Sequence, residues 1–251
     1  MNQAVALTIA GSDPSGGAGI QADLKVFHQL GVYGEAVVTL ITVQNTSAVK
    51  RVEVLDPDLV AEQIQAVIED VPPVAAKTGA LGNQAVSEAV ARVLANAAFP
   101  VVVDPVMRST FGAPLGPHQA IRAFLITPNL EEASVLAGFA VNDVASMRAA
   151  AEKIAEAGAQ NVLIKGGHLK DRAVDLLLTS DRCFHEFAAD RIETRHTHGT
   201  GCAYSAAITA ELARGACLVE AVARAKRFVT EGIRTNPGLG GGSGPLNFFA
   251  R

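Results

Sequence analysis

The sequence is poor in cysteine, and this scarcity excludes two kinds of scaffold. Its three cysteines are Cys183, Cys202 and Cys217, and it has no tryptophan. Because the number is odd and no C-x-x-C spacing occurs, neither a disulfide framework nor a paired-cysteine zinc site is indicated. We therefore expect a protein of the reducing cytoplasm.

Basic segments and long apolar runs are also missing. The 251 residues carry a net charge of −4, so neither nucleic acids nor anionic membrane surfaces are expected partners. No apolar run approaches the roughly 18 residues of a membrane span. No basic segment precedes the first apolar run, as it would in a signal peptide. These absences predict a soluble, unprocessed protein.

What the chain does contain is a series of short apolar runs that alternate with segments of helical periodicity. Apolar residues make up 49% of the chain. Continuous apolar runs are typical of strands in parallel sheets. We therefore expect one α/β domain over residues 1–251, with a mostly parallel central sheet and helices on both faces. The predicted strands are residues 5–10, 36–43, 74–79, 100–107, 125–129 and 161–165, with an antiparallel pair at 173–178 and 183–187. The predicted helices include residues 20–30, 57–70, 84–97, 144–157, 203–212 and 218–235.

A glycine-rich turn, residues 11–19, follows the first strand. It is not a Walker A loop, because Gly17 and Ala18 stand where lysine and serine or threonine are needed, and it does not fit the dinucleotide pattern G-x-G-x-x-G. Such a turn lets the backbone approach a small ligand closely, and Asp23, one helical turn later, is either a polar contact or a solvated side chain. Gln44, at a strand end, either pairs with the edge of a heterocycle or caps a turn.

Polar residues follow three later strands. Asp104 ends one strand, and Asn129 and Glu132 follow the next. In open α/β sheets ligands bind at these carboxyl ends. Their hard oxygen atoms suit Mg²⁺ with retained waters, although Asn129 and Glu131 could instead merely cap the following helix. Lys165, near the end of a third strand, could hold a phosphate as a point charge.

The segment His198-Gly199-Thr200-Gly201-Cys202 opens a helix. The first N–H groups of a helix lack intrahelical partners and lie at the positive end of its dipole, so this segment predicts an anion site. A helix N-terminus can also push a cysteine toward the thiolate, which is about 3% populated at pH 7 for an unperturbed pKa of about 8.5. An anion site beside a proton acceptor indicates phosphoryl transfer.

Together these motifs make the chain resemble one known family. The matching blocks are residues 6–25, 44–46, 77–79, 104–107, 127–129, 165–169 and 197–202, in the family's order and over nearly the whole length. The chain resembles the hydroxymethylpyrimidine/phosphomethylpyrimidine kinases of thiamine biosynthesis, members of the ribokinase superfamily. The resemblance implies a ribokinase-like fold, a homodimer, and the cofactors ATP and Mg²⁺. It also implies phosphorylation of 4-amino-5-hydroxymethyl-2-methylpyrimidine and then of its monophosphate.

The resemblance also implies roles for individual residues. It places the pyrimidine at Gln44, Asp23, Gly11, Ala18 and Val106, and ATP at Lys165, Thr200 and Asn129. Asp104 and Glu132 would face Mg²⁺ through water. Gly199, Thr200 and Gly201 would form an anion hole, and Cys202 would be the general base where sugar-kinase relatives have aspartate.

Some positions depart from the family pattern, and other functions stay open. Residues 108–115 differ from the family's usual sequence at this point, and Ala80 stands where the family often has methionine. Glu35 has no assigned contact. A pyridoxal/pyridoxine kinase is the nearest alternative, although Gln44 favours an aminopyrimidine. A non-catalytic pyrimidine-binding protein and a cysteine hydrolase, in which His198 would have to serve Cys202, are more remote.

Overall fold

A computed structural model describes residues 3–107, 123–167 and 173–250. Its nine strands are β1 (Val5–Ser12), β2 (Tyr33–Gln44), β3 (Val49–Val54), β4 (Ala75–Thr78), β5 (Val101–Val103), β6 (Leu125–Ile126), β7 (Asn161–Ile164), β8 (Ala173–Leu178) and β9 (Phe184–Ala189). Its helices are α1 (Gly19–Gln29), α2 (Pro57–Asp70), α3 (Gln84–Leu94), α4 (Leu130–Ala137), α5 (Val144–Glu156), α6 (Thr200–Ala213) and α7 (Leu218–Arg234). None of these helices combines the length and apolar character that crossing a bilayer needs.

The strands form one sheet in the order β3-β2-β1-β4-β5-β6-β7-β8-β9. From β2 to β7 every neighbouring pair is parallel, and the antiparallel pairs are β2–β3, β7–β8 and β8–β9. The predicted α/β architecture is thus confirmed. The edge strand β3 was not predicted, because its exposed Lys50, Arg51 and Glu53 give it a polar character.

Side chains of the sheet alternate between two apolar cores. Leu7 and Ile9 of β1 pack with residues of α2 to α5 on one face. Ala6, on the opposite face, packs with α1, α6 and α7. Burying a leucine or isoleucine side chain contributes about 1.5–3 kcal/mol, so both faces of the sheet stabilise the fold. The helices on both faces explain why the strands are continuous apolar runs.

The strand order places a crevice at the carboxyl end of β1. This strand lies between β2 and β4, so the chain leaves β1 to one side and later returns on the other. Right-handed crossovers in opposite directions put α1 and α2 on opposite faces of the sheet, which opens a crevice at the point of reversal. The turn after β1, the end of β4 and the end of β5 all meet there.

The start of α6 requires glycine. Gly199 has φ of 75°, and a Cβ at this position would lie 1.8 Å from the carbonyl oxygen of Gly17. A larger residue would therefore clash with backbone and not only with a movable side chain. Helix α6 is buried on almost all sides between the sheet and α1 and α7. Its N-terminus is fixed against the glycine-rich turn.

Candidate active site

A cleft of about 1200 Å³ opens at the carboxyl end of the sheet. Most of the sequence-predicted site residues line it. They are Gly11, Ala18, Gln44, Asp104, Val106, Asn129, Glu132, Lys165, Gly199, Thr200, Gly201 and Cys202. Ala80 lines it as well, while residues 108–122, including the unusual segment after Met107, lie outside the described residues. The structure thus brings together residues from six separate parts of the chain.

The predicted anion hole is the backbone of Gly199, Thr200 and Gly201 at the start of α6. The first i to i−4 bond of the helix joins Ala203 N to Gly199 O at 2.9 Å, and the Thr200 amide donates to Thr197 O at 3.3 Å. Amides before the first bond have no carbonyl partner within the helix, which is the arrangement that binds anions. A Cβ on Gly201 would lie 3.3 Å from Lys165 Nζ, so glycine keeps the space beside this ammonium open.

Asp104 and Lys165 form an ion pair beside the anion hole. Lys165 Nζ lies 2.8 Å from Asp104 Oδ1, and the Lys165 side chain is 14% exposed. Burial alone would raise the pKa of Asp104, but the two ammonium groups of Lys165 and Lys77 outweigh it and lower this pKa. The same carboxylate accepts hydrogen bonds from the hydroxyls of Thr127 and Ser205. The pair therefore keeps both charges at neutral pH.

Glu132 lies beside this pair and also helps to begin α4. Its carboxylate accepts the backbone N–H of Asn129 at 2.8 Å, and the Asn129 side chain accepts the N–H of Glu132 at 2.9 Å. The helix-capping interpretation is therefore correct for Asn129, whose partner is Glu132 and not Glu131, and both Asn129 and Glu132 also line the cleft. Burial raises the pKa of Glu132 to about 7. Its carboxyl is thus near half-ionised at neutral pH, and a nearby cation would favour the charged form.

Asp13 joins the glycine-rich turn to the start of α6. Its carboxylate accepts the N–H groups of Ser15 and Ala18 and lies 2.8 Å from His198 Nε2. Burial opposes ionisation, but these hydrogen bonds outweigh it and lower the pKa of Asp13. Gln44 Nε2 lies 3.2 Å from the same His198 nitrogen. His198 thus connects the predicted substrate side of the cleft to the anion hole.

The predicted role of Asp23 needs a correction, since this residue does not line the cleft. Its side chain is fully buried, and its two oxygens lie 2.9 and 2.8 Å from Lys77 Nζ. It also accepts the hydroxyl of Thr8 at 2.6 Å. A carboxylate sealed in this way cannot reach a ligand directly. The predicted substrate contact at Asp23 is replaced by a buried ion pair.

Cys202 is partly exposed to the cleft, and the backbone N–H of Gly19 lowers the pKa of its thiol. Burial raises the pKa of this thiol to about 11, and the charge of Lys77 offsets only part of the effect. The hypothesis that the helix N-terminus pushes Cys202 toward the thiolate therefore does not hold for the free protein, because burial has the largest effect on this thiol. The thiol is protonated at neutral pH.

Sequence reasoning missed Asp13 and Lys77 in this region, and it did not identify His198 as the partner of Asp13. Lys77 carried a usable signal, because a lysine inside an otherwise apolar strand must be paired when that strand is buried. Asp13 gave no such signal, since aspartate is ordinary in a turn. His168 lies outside the described residues.

The far part of the cleft is lined by Asp175, Lys226 and Ile233. Lys226 Nζ donates to Asp175 Oδ2 at 2.7 Å. The cleft therefore extends from Gln44, past residues 199–201, to the α7 side. A helix N-terminus within the cleft suits a reaction that transfers a charged group.

Comparison with known proteins finds vitamin kinases of two names. The family model for phosphomethylpyrimidine kinase matches residues 13–247. A Bacillus subtilis hydroxymethylpyrimidine/phosphomethylpyrimidine kinase is 43% identical over 256 residues, covering 98% of this chain and 94% of that protein. The ADP complex of a Staphylococcus aureus pyridoxal kinase superposes with a TM-score of 0.90 at 34% identity, covering 100% of this chain and 95% of that one. A Clostridium difficile phosphomethylpyrimidine kinase gives 0.79 at 40% identity, with coverage of 91% and 99%.

Proposed function

The chain belongs to the phosphomethylpyrimidine kinase family, and we propose that it phosphorylates 4-amino-5-hydroxymethyl-2-methylpyrimidine with ATP and then phosphorylates the monophosphate. This would make it a kinase of thiamine biosynthesis. The observation that carries the proposal is a shared location: the anion hole, the Asp104–Lys165 pair and Cys202 line one cleft. The name of the Bacillus subtilis relative supports the same pair of substrates.

The pyrimidine would bind at the Gln44 side of the cleft. Gly11, Ala18 and Val106 would form its walls, while the Gln44 amide would meet the polar edge of the ring. An amide offers both a donor and an acceptor, which matches a ring nitrogen beside an amino group. The Asp13–His198 pair supports the Gln44 side of the cleft. Asp13 holds the glycine-rich turn, and its partner His198 lies 3.2 Å from Gln44 Nε2.

ATP would occupy the Lys165 side, with Thr200 and Asn129 as further contacts. The ADP complex of the Staphylococcus aureus pyridoxal kinase, a structural neighbour, supports an adenine nucleotide as a ligand. Two carboxylates beside a lysine fit Mg²⁺ held through water, as this ion retains much of its hydration shell. Asp104 and Glu132 would hold it, and when bound it would neutralise charge on the phosphate oxygens.

In the first reaction the substrate hydroxyl gives its proton to the Cys202 thiolate. The oxygen of the substrate hydroxyl forms a bond to the γ-phosphorus of ATP as the bond between that phosphorus and the ADP oxygen breaks. The amides of the anion hole and the ammonium of Lys165 stabilise charge on the transferred group. In the second reaction the acceptor is a phosphate oxygen that is largely ionised near neutral pH. Cys202 should therefore matter for the first reaction and much less for the second.

A pyridoxal kinase is the second candidate, because the Staphylococcus aureus enzyme of that name gives a TM-score of 0.90. ATP turnover with hydroxymethylpyrimidine, its monophosphate and pyridoxal, measured side by side, separates the two functions. We expect the highest kcat/KM with the pyrimidine alcohol, and a preference for pyridoxal would overturn the proposal. Binding of the pyrimidine without any ATP turnover would instead indicate a non-catalytic protein.

We also propose a cytoplasmic homodimer. Two of the three free cysteines, Cys183 and Cys217, are exposed, which suits a reducing compartment. Ile41 and Val43 on β2 are 49% and 52% exposed, and a second subunit would remove their apolar surface from water. Sedimentation velocity tests the dimer, and a single monomeric species at micromolar concentration would contradict it.

A further inference from the structure

Lys77 is a charged residue that the proposed reaction does not use. It lies on β4, whose residues are all buried, and its side chain has no exposed surface. Burying an ammonium costs several kcal/mol unless an anion and further hydrogen bonds compensate. Asp23 supplies the anion, and the Thr8 hydroxyl donates to one Asp23 oxygen. The fold therefore maintains a costly ion pair that, within the described residues, does not line the cleft.

This ion pair lies directly behind the cleft wall at Gly79. A Cβ on Gly79 would be 3.8 Å from Lys77 Nζ, and Gly79 itself lines the cleft with Cys202. Because glycine has no side chain, little material separates this ammonium from the cleft. The geometry brings a fixed positive charge close to the place where a proton acceptor is needed.

Helix α1 ties the same pair to Cys202. The backbone N–H of its first residue, Gly19, lies close enough to the Cys202 sulfur to lower the pKa of the thiol. Asp23 follows four residues later, and residues with this spacing lie on one face of a helix. One face of α1 therefore contacts the sulfur at one turn and holds Lys77 at the next.

Four charged side chains act on the Cys202 sulfur from the elements around it. Lys77 lowers the pKa of the thiol, whereas Asp23 and Asp104 raise it. Lys165 also interacts with Cys202, although its nearest anion is Asp104. Burial lowers the pKa of Lys77 itself, but Asp23 outweighs burial and keeps the ammonium charged.

We propose that Lys77 is the counter-ion of the Cys202 thiolate and that Asp23 holds it in place, which makes both of them positioning residues. The inference rests on the proposed function only in that Cys202 receives the proton of the substrate hydroxyl. The thiolate must exist to accept that proton, and a positive charge behind Gly79 stabilises it. Lys77 then contributes to the first phosphorylation without touching either substrate.

Alkylation of Cys202 tests the inference without any substrate. In a C183S/C217S background, iodoacetamide reacts with a single remaining thiol, and only the thiolate reacts. The double substitution K77M/D23N removes both charges together and so avoids an unpaired buried carboxylate. We expect alkylation at pH 8 to slow by at least about twofold, because Lys77 affects the pKa of the thiol more than Asp23 does and a higher pKa lowers the thiolate fraction. T78V, a neutral change at the next buried position of β4, should leave the rate unchanged.

An alkylation rate that is the same in the C183S/C217S protein with and without K77M/D23N would overturn the inference. If the double variant does not fold, K77Q serves instead, since a neutral amide can still donate to Asp23, and the expected direction is the same. Kinetics supply a second readout: K77M/D23N should slow phosphorylation of the pyrimidine alcohol by the same factor as alkylation and leave phosphorylation of the monophosphate unchanged. If the parent protein has no kinase activity, the proposed function fails, while the alkylation comparison still decides the role of Lys77.

Discussion

Two lysine–aspartate ion pairs lie near the anion hole, and they differ in their contact with water. Both have a shortest nitrogen–oxygen distance of 2.8 Å. In the Asp23–Lys77 pair, the sealed pair, neither side chain has exposed surface. In the Asp104–Lys165 pair, the open pair, the lysine is 14% exposed and both residues line the cleft.

The difference in exposure indicates what each pair can do. The ammonium of the open pair can exchange its carboxylate partner for a phosphate oxygen, because the cleft gives a ligand access to it. The ammonium of the sealed pair cannot exchange partners, so its charge is constant and acts only on groups nearby. The open pair therefore suits binding and transfer of a phosphoryl group, and the sealed pair suits control of a proton acceptor.

Removing the lysine of the open pair should give the largest loss of activity. We expect Lys165→Met to lower kcat by about 10²–10³-fold for both phosphorylations, the range for loss of one charge-stabilising donor in an active site. Steady-state kinetics with the pyrimidine alcohol and its monophosphate measure this loss. Lys50→Met, on the exposed edge strand, is the matched control and should retain full activity. A loss confined to one reaction would contradict the assignment of Lys165 to the phosphate.

Removing the lysine of the sealed pair should give the largest loss of stability. Lys77→Met leaves Asp23 buried without a counter-charge, which typically costs about 3–5 kcal/mol in the free energy of unfolding. Lys165→Met should cost less, because water and Thr127 can still reach Asp104. Urea unfolding of the two variants at pH 7 compares them. The contrast between the pairs fails if Lys165→Met is the more destabilising substitution.

Cys202 lies between the two pairs, and its titration should separate the two reactions. The pKa of its thiol is raised to about 11, so the thiolate fraction at neutral pH is small and grows with pH. Below the pKa this fraction increases about tenfold per pH unit. We expect the rate ratio of the first to the second phosphorylation to rise by about tenfold from pH 7 to pH 8. Effects of pH on ATP are shared by both reactions and cancel in this ratio. A ratio that does not change with pH would exclude Cys202 as the base.

The smallest expected effect concerns Glu35 on β2, whose carboxyl group has no oppositely charged partner among the described residues. Burial, helped by Asp70, raises the pKa of Glu35 to about 7 from 4.5. An acid whose pKa is higher in the folded state loses stability as the pH rises from the unfolded value to the folded one. Glu35→Gln should therefore stabilise the protein by about 0.5 kcal/mol at pH 8 and not at pH 4. Thermal unfolding at both pH values measures this, and a gain at pH 4 alone would reverse the assignment.

The sequence was sufficient to place Asp104, Lys165 and residues 199–201 at one cleft, because each has a local signal. Asp104 and Lys165 follow apolar strands, where parallel sheets place their ligands. Gly199 and Gly201 precede a helical segment, which is the pattern of an anion-binding N-terminus. These signals need only the order of residues along the chain and the rule that strand ends meet at one edge.

The sealed pair could not be predicted in the same way. Asp23 and Lys77 are 54 residues apart, and only the packing of α1 against the sheet brings them together. From sequence, Asp23 resembled a ligand contact, since the burial of a helix position depends on what covers it. The pKa of Cys202 was misjudged for the same reason: a helix N-terminus is visible in sequence, but the desolvation that outweighs it is not.

The most direct test of the account is Cys202→Ala, assayed separately on the two reactions. Loss of a general base should lower kcat for the pyrimidine alcohol by about 10²–10⁴-fold. The rate with the monophosphate should stay within about tenfold, because its phosphate oxygen is already ionised. Equal losses in both reactions would contradict the account, since Cys202 would then be needed for the shape of the cleft and not for the proton.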